Sequence, residues 1–257
     1  MVETFAVASG KGGTGKTTTT LALGMALAES EEYDVTVIDA DTGMANVLFH
    51  AGLADVGTTL HEVLAGDAPV EAAVYDRFGM QVVPCGTSLD GFREADPGRL
   101  RDVVATLADG TDVVLLDSPA TPDSRTGVLP VVLADRIVVV LQPTVPSLSD
   151  GLKIQEYALT YDTGVAGVLF NRVTPDANID RIAAKADRFF EGPRLATVPE
   201  SEVVRAARRA GEPLLAHAPG TEAADRYRTA AARLSVNHGR SSDVADRFRS
   251  AVIPDQP

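Results

Sequence analysis

Short, predominantly apolar runs of four to six residues recur along the chain and are separated by longer segments with helical spacing. Such runs are typical of strands that are covered on both faces of a parallel sheet. The predicted strands are residues 5–8, 35–38, 80–83, 113–116, 137–141, 165–170 and 195–198. The predicted helices are residues 21–29, 59–64, 97–107, 147–161, 179–190, 202–210 and 223–234.

This alternation of strand and helix predicts an α/β fold. We expect a doubly wound, mostly parallel sheet with helices on both faces, joined by right-handed crossovers. The 257 residues suit one large domain, which we place at residues 1–236, followed by a polar tail at 237–257. No apolar run approaches the roughly 20 residues of a membrane span, and no secretory signal pattern opens the chain. We therefore expect a soluble cytoplasmic protein.

A glycine-rich loop follows the first predicted strand. Residues 10–17 satisfy G-x-x-x-x-G-K-[ST], with a strand before the loop and a helix after it. Glycines let successive N–H groups point inward, and the helix adds the positive end of its dipole. The motif therefore predicts a polyphosphate ligand, with Lys16 on the β and γ phosphates and the Thr17 hydroxyl on Mg²⁺.

Further polar residues follow the apolar strands: Asp39, Asp41, Asp117 and Asn171. Ligands of such sheets bind beyond the carboxyl ends of the strands, so these side chains are expected to converge with Lys16 on one site. The blander alternatives are that Asp117 caps a helix, that the two aspartates cap a turn and that Asn171 forms its own turn.

Lys11 is a second lysine inside the loop, which the general motif does not require. With it the loop resembles K-G-G-x-G-K-T, the deviant Walker A motif of the MinD/ParA family of P-loop ATPases. In that family the first lysine reaches the nucleotide of a partner subunit, so the resemblance implies a homodimer that forms on ATP binding.

Later segments extend the resemblance to about Leu234. Residues 39–46 resemble the family's switch I, D-x-D-x-G-x-x-N, and residues 117–120 its switch II, D-[ST]-P-A. Residues 171–172 resemble the base-contacting N-R, and residues 198–200 and 211–214 resemble I-P-[DE] and G-x-P-[VL]. The resemblance implies a slow Mg-ATP hydrolase that dimerises and organises a larger cellular assembly, in the manner of MinD.

The site residues follow from the motifs and the resemblance together. The catalytic candidates are Lys11, Lys16 and Asp41, with Asp41 positioning the attacking water. The magnesium candidates are Thr17, Asp39 and Asp117. The nucleotide-binding candidates are Gly10, Lys11, Gly12, Gly13, Thr14, Gly15, Lys16, Thr17, Thr18, Asn171, Arg172, Pro199 and Glu200. The expected cofactors are ATP and Mg²⁺.

Two positions depart from the family pattern. Thr121, followed by Pro122, replaces the usual glycine after D-[ST]-P-A, which predicts a differently moving switch II and slower hydrolysis. Met44 and Ala45 lie where the family has a basic residue, which indicates a different activator protein or none. Two alternatives stay open: a ParA-type positioning ATPase that acts on DNA or a protein hub, and a nucleotide-gated binding module with negligible turnover.

Charge and cysteine content bear on the partners and on the metal clusters that this chain could have. The net charge of −13 and the scarcity of lysine resemble proteins of extreme halophiles, in which net charge no longer reports on partners. Cys85 is the only cysteine, so one chain can form neither an internal disulfide nor a cysteine-only cluster. In the tail, residues 243–252 could form a short amphipathic helix, and we consider membrane attachment through residues 243–253, docking on the protein itself, or disorder.

Overall fold

A central sheet of eight strands organises the part of the chain that the computed structural model describes, residues 2–120 and 125–237. The strands are β1 (Glu3–Ala8), β2 (Val35–Asp39), β3 (Tyr75–Arg77), β4 (Met80–Val83), β5 (Val113–Asp117), β6 (Arg136–Leu141), β7 (Gly164–Val173) and β8 (Arg194–Pro199). Their order in the sheet is β3-β4-β2-β5-β1-β6-β7-β8. All neighbours pair in parallel except β3 and β4, which are antiparallel.

Eleven α-helices connect or flank these strands within the described residues. They are α1 (Lys16–Ala28), α2 (Val47–His50), α3 (Leu60–Ala65), α4 (Leu89–Glu94), α5 (Leu100–Leu107), α6 (Arg125–Leu133), α7 (Val145–Thr160), α8 (Ile179–Phe189), α9 (Glu202–Ala210), α10 (Leu214–His217) and α11 (Glu222–Arg233). Short 3₁₀ turns occupy Val70–Ala73 and Pro97–Arg99.

The central strands are covered on both faces. Every residue of β1, β2 and β5 is buried, which requires packing above and below the sheet. Helix α1 packs on β1, β2 and β5 and against α11, whereas α6 also contacts β1 and α7 contacts β6. The predicted doubly wound, mostly parallel sheet is confirmed.

Several elements escaped the sequence prediction. Helix α1 begins at Lys16 rather than at residue 21, because four consecutive threonines hide its first turn. Within that turn the Thr20 hydroxyl lies 3.0 Å from the Lys16 carbonyl and 3.2 Å from Asp117 Oδ1, and these two acceptors share its single proton. Strand β3 is short and largely exposed, and α6 contains Pro130, so neither shows the pattern of a regular element. The predictions for Thr121-Pro122 and for the tail helix lie outside the described residues.

The carboxyl ends of the central strands face the phosphate loop. β1 leads directly into that loop, and the last residues of β2 and β5, Asp39 and Asp117, are paired in register. No helix in the described ranges is long and apolar enough to cross a membrane. Cys85 is buried, and burial raises the pKa of its thiol well above the usual range.

Leu115 tests how strongly the central sheet determines stability. Its side chain is fully buried in β5, between Phe5 of β1 and Val37 of β2. We expect Leu115→Ala to lower the free energy of unfolding by about 2–5 kcal/mol, because it removes buried methyl groups and leaves a cavity. Leu89→Ala is the matched control, since Leu89 is 72% exposed and its loss is expected to cost less than about 0.5 kcal/mol. Urea denaturation measures both, and equal effects would contradict this account of the core.

Candidate functional site

The loop between β1 and α1 has the geometry of an anion cradle. The backbone N–H groups of residues 15–18, at the start of α1, donate no hydrogen bond to any described residue and carry the positive end of the helix dipole. Ser9 fixes the loop from inside: its Oγ donates to the Lys11 carbonyl at 2.8 Å and accepts from Thr14 Oγ1 at 2.9 Å. The arrangement suits the oxygens of a polyphosphate.

Gly15 shows why the loop needs glycine at the helix start. Its φ is +98°, in the left-handed region that side chains disfavour. A Cβ atom there would also overlap the carboxamide of Asn171, whose Nδ2 donates to the Thr14 carbonyl at 2.8 Å. Any side chain at Gly15 would therefore displace both the loop and Asn171.

Lys16 is the first residue of α1 and its side chain is 8% exposed. Its ammonium lies 3.3 Å from Ser9 Oγ. Burial lowers the pKa of Lys16, whereas the carboxylates of Asp117 and Asp41 oppose that shift. The lysine is thus held at the loop between negative groups, where a phosphate would add further negative charge.

Thr17 and Asp117 form the side of the site that could hold a metal ion. Thr17 Oγ1 donates to Asp117 Oδ2 at 2.6 Å, and Thr20 Oγ1 donates to Asp117 Oδ1 at 3.2 Å. Burial raises the pKa of Asp117 to about 6, against the opposing effects of the Thr17 hydrogen bond and the Lys16 charge. Oxygen donors of this kind suit Mg²⁺, which binds few protein groups directly and keeps several waters.

Ser118 gives an independent indication that the site fits a polar ligand. Its side chain is 2% exposed, and its Oγ is buried without a hydrogen-bond partner among the described residues. Buried polar atoms normally have a partner. Because Ser118 lines the same cavity as Lys16 and Thr17, a bound phosphate or metal-bound water would supply one.

Asp39 lies behind this cavity and holds the switch I segment in place. Its Oδ2 accepts from the backbone N–H groups of Asn46 and Val47 at 3.1 and 3.0 Å, and its Oδ1 accepts from that of Asp41 at 3.3 Å. Burial, together with the neighbouring Asp117, raises the pKa of Asp39 well above its usual range. In this arrangement Asp39 orders the loop that carries Asp41, and its contribution to a magnesium site stays a prediction.

Asp41 lines the cavity beside the phosphate loop. Burial raises the pKa of its carboxyl, whereas a hydrogen bond from the Met44 N–H at 3.0 Å and the charge of Lys16 oppose the shift. The side chain is therefore positioned by its own loop at the edge of this cavity, and its role in hydrolysis stays a prediction.

Two adjoining cavities complete the site. The first, of about 270 Å³, is lined by Gly12, Gly13, Gly15, Lys16, Thr17, Thr18, Asp41, Met44, Asn46, His50, Ser118, Ala120, Arg172 and Arg208. The second, of about 50 Å³, is lined by Gly15, Thr18, Asn171, Arg172, Pro199, Glu200, Ser201, Val204, Arg205 and Arg208. We call them the phosphate cavity and the base cavity. They share Gly15, Thr18, Arg172 and Arg208, so one nucleotide could occupy both.

The predicted site residues are thus gathered along one edge of the sheet. Asn171, Arg172, Pro199 and Glu200, expected near the base, all line the base cavity. Asn171 is partly engaged already, since its Oδ1 accepts from the Arg172 N–H at 2.9 Å. The ammonium of Lys11 forms no ion pair with any described residue. The individual roles of these residues stay predictions.

Four residues at the candidate site were not predicted from the sequence. Ser9 and Ser118 lie inside the quoted motifs, so their positions could have been read from the loop and from switch II. His50 and Arg208 carried no comparable signal, because they come from separate helices, α2 and α9, that meet only in the folded chain.

The phosphate loop, the oxygen donors of Thr17 and Asp117 and the two cavities at the strand ends define a P-loop protein that binds ATP with Mg²⁺. Residues 5–214 match the family model described as the CobQ/CobB/MinD/ParA nucleotide binding domain. The chain belongs to this family.

Individual relatives agree with this assignment. The chain is 37% identical over 236 residues to an uncharacterized ATP-binding protein of Methanocaldococcus jannaschii, covering 91% of this chain and 88% of that protein. The structure of the septum site-determining protein MinD of Pyrococcus horikoshii with Mg-ADP matches with a TM-score of 0.81 and 30% identity, over 90% of this chain and 95% of that one. A MinC:MinD cell division complex of Aquifex aeolicus matches with a TM-score of 0.75 and 25% identity, over 93% and 99% of the two chains.

His50 provides a test of the cavity's electrostatics. Burial and, to a lesser extent, the Arg208 charge lower the pKa of His50 to about 4. We expect NMR titration of the nucleotide-free protein to show a midpoint near this value, and Arg208→Ala to raise it toward 6.5. Because the folded pKa lies below the unfolded value, the stability contributed by neutral His50 is present above about pH 6.5 and is lost as the pH falls through 4.

The matched control is Arg209→Ala, which removes a charge from the next residue of α9 without removing a cavity residue. A midpoint near 6.5 in the wild-type protein, or equal shifts in the two variants, would contradict this electrostatic account.

Proposed function

We propose that this protein is a MinD-like ATPase that dimerises on binding Mg-ATP, hydrolyses it slowly and positions a larger cellular assembly. The observation that carries the proposal is the phosphate cavity, in which Lys16, Thr17, Asp41 and the unpartnered hydroxyl of Ser118 meet. ATP binding follows from the family and the loop, whereas dimerisation, turnover and cellular role are the proposed steps.

The division of labour among the side chains follows from their positions. Lys16 and the N–H groups at the start of α1 bind the phosphates, and Thr17, supported by Asp117, holds Mg²⁺. The metal ion would neutralise charge on the phosphate oxygens. Asp41 orients water toward the γ-phosphate; as a carboxylate it is a weak base, so orientation is its main contribution.

Two side chains near the phosphate cavity, the half-buried Lys11 and the exposed Met44, support dimerisation through this face. Lys11 presents an ammonium without an ion pair to the described residues, and a partner's triphosphate would supply its counter-charge. Met44, in switch I, is 74% exposed at the cavity edge and offers apolar surface to a second subunit.

The proposed cellular role rests on the similarity to MinD proteins and not on a residue of this chain. A structurally similar chain is part of a MinC:MinD cell division protein complex, which supports our proposal of a protein partner or activator here. A cytoplasmic location with peripheral membrane attachment is part of the proposal. Residues 243–253, the expected attachment segment, lie outside the described residues, and DNA remains the alternative surface.

Asp41→Ala separates ATP binding from turnover. We expect the variant to bind ATP, to release phosphate about 100-fold or more slowly than the wild type, and to accumulate as a dimer. Size-exclusion chromatography with ATP and ADP, together with phosphate release measured over hours, tests this expectation. Lys16→Ala is the control that should remain monomeric with either nucleotide.

The sandwich-dimer model is wrong if ATP leaves the Asp41 variant monomeric. Sustained wild-type phosphate release that the Asp41 change abolishes would exclude the alternative of a binding module with negligible turnover.

A further inference from the structure

Arg208 lies where the phosphate and base cavities meet. It lines both of them, as Arg172 does, although it comes from α9 rather than from a strand end. The Arg208 guanidinium forms no hydrogen bond or ion pair with any described residue. Among the described residues, Arg208 therefore lacks the carboxylate partner that Arg205, on the same helix, has.

The neighbouring arginine of α9 shows the contrast. Arg205 lines the base cavity but is neutralised, because its guanidinium is 2.5 Å from Glu200 and also contacts Glu202. Arg208 is one helical turn further along α9 and has no such carboxylate. Of these two cavity-lining arginines on one helix, only Arg208 has its charge available for an anion.

The backbone position of Arg208, whose side chain is exposed, is set by close packing between α9 and α2. Gly211 ends α9 and Gly52 follows α2, and a Cβ at Gly52 would lie 3.3 Å from the Gly211 carbonyl. Likewise a Cβ at Gly211 would lie 3.1 Å from the Phe49 carbonyl. The two backbones therefore touch, which holds Arg208 beside His50 at the wall of the phosphate cavity.

His50 does not compete with a ligand for the positive charge of Arg208. Burial and the Arg208 charge keep its imidazole neutral at ordinary pH, with a pKa of about 4. Of His50 and Arg208, only Arg208 is thus charged. Its natural counter-ion is the phosphate chain of the nucleotide that the loop binds.

We propose that Arg208 is a nucleotide-binding residue that contacts the phosphate chain from outside the loop. A bound nucleotide would then contact α9 as well as the phosphate loop and switch I. This inference rests on the proposed Mg-ATP site. A planar guanidinium can make two parallel hydrogen bonds to phosphate oxygens, which a lysine cannot.

Binding of MgADP and MgATP by Arg208→Ala tests the proposal, with calorimetry or a fluorescent nucleotide as the readout. Loss of a charged hydrogen-bond donor is expected to raise Kd about tenfold to 100-fold. Arg208→Lys should recover part of that loss, and Arg209→Ala, the matched surface control, should stay within about twofold of the wild type. Equal Kd values for the Arg208 and Arg209 alanine variants would overturn the proposal.

Two further measurements locate the contact. The Kd of adenosine, measured by its displacement of the fluorescent nucleotide, should be the same in Arg208→Ala and in the wild type, because adenosine has no phosphate. An equal loss of affinity for adenosine and for MgADP would place the contact on the nucleoside and overturn the inference. Lys16→Ala distinguishes failure of the proposed nucleotide site from failure of the proposed Arg208 contact. If it fails to weaken MgADP binding, the nucleotide site itself is wrong, whereas a strong Lys16 effect without an Arg208 effect refutes this inference alone.

Discussion

The hydrogen bond from Thr17 to Asp117 ties the start of α1 to the end of β5, and the site is arranged around it. Asp117 stands beside Asp39 at the ends of adjacent strands, and the two side chains are 2% and 0% exposed. Two neighbouring carboxylates in so little water are unfavourable unless hydroxyls, N–H groups or cations compensate. Thr17, Thr20 and the switch I backbone provide hydrogen bonds, and Lys16 provides charge. A magnesium nucleotide would add a further cation to the same edge.

The phosphate loop and switch I are connected through the neighbouring side chains of Asp117 and Asp39. Asp39 orders the switch I backbone, and that backbone presents Asp41 to the phosphate cavity. Hydrogen bonds of about 3 Å thus connect the end of β2 with the loop that carries Asp41. The contact between α2 and α9 extends this connection to Arg208, which also lines the phosphate cavity.

Sequence alone predicted the sheet well, because the central strands are predominantly apolar runs, which are typical of a sheet covered on both faces. It also located Lys16, Asp41, Asp117 and Asn171, since ligands of such sheets bind at strand ends. The first turn of α1 was missed because its threonines have low helix propensity, which contacts with the rest of the fold outweigh, among them the hydrogen bonds of Thr17 and Thr20 to Asp117. Arg208 was missed for a different reason: helical spacing predicts α9 but not which neighbouring cavity each of its side chains faces. The resemblance to halophilic proteins stays a prediction.

The most direct test of the central claim is hydrogen exchange of the backbone N–H groups with and without MgADP. We expect protection of residues 10–18 and of switch I, residues 39–46, because we propose that both segments lie beside the phosphates. The cavity of about 370 Å³ at the opposite edge of the sheet, lined in part by Asp34, Asp76 and Arg77, serves as the internal reference and should not change. Protection confined to that opposite edge, or none at residues 10–18, would contradict the assignment of the nucleotide site.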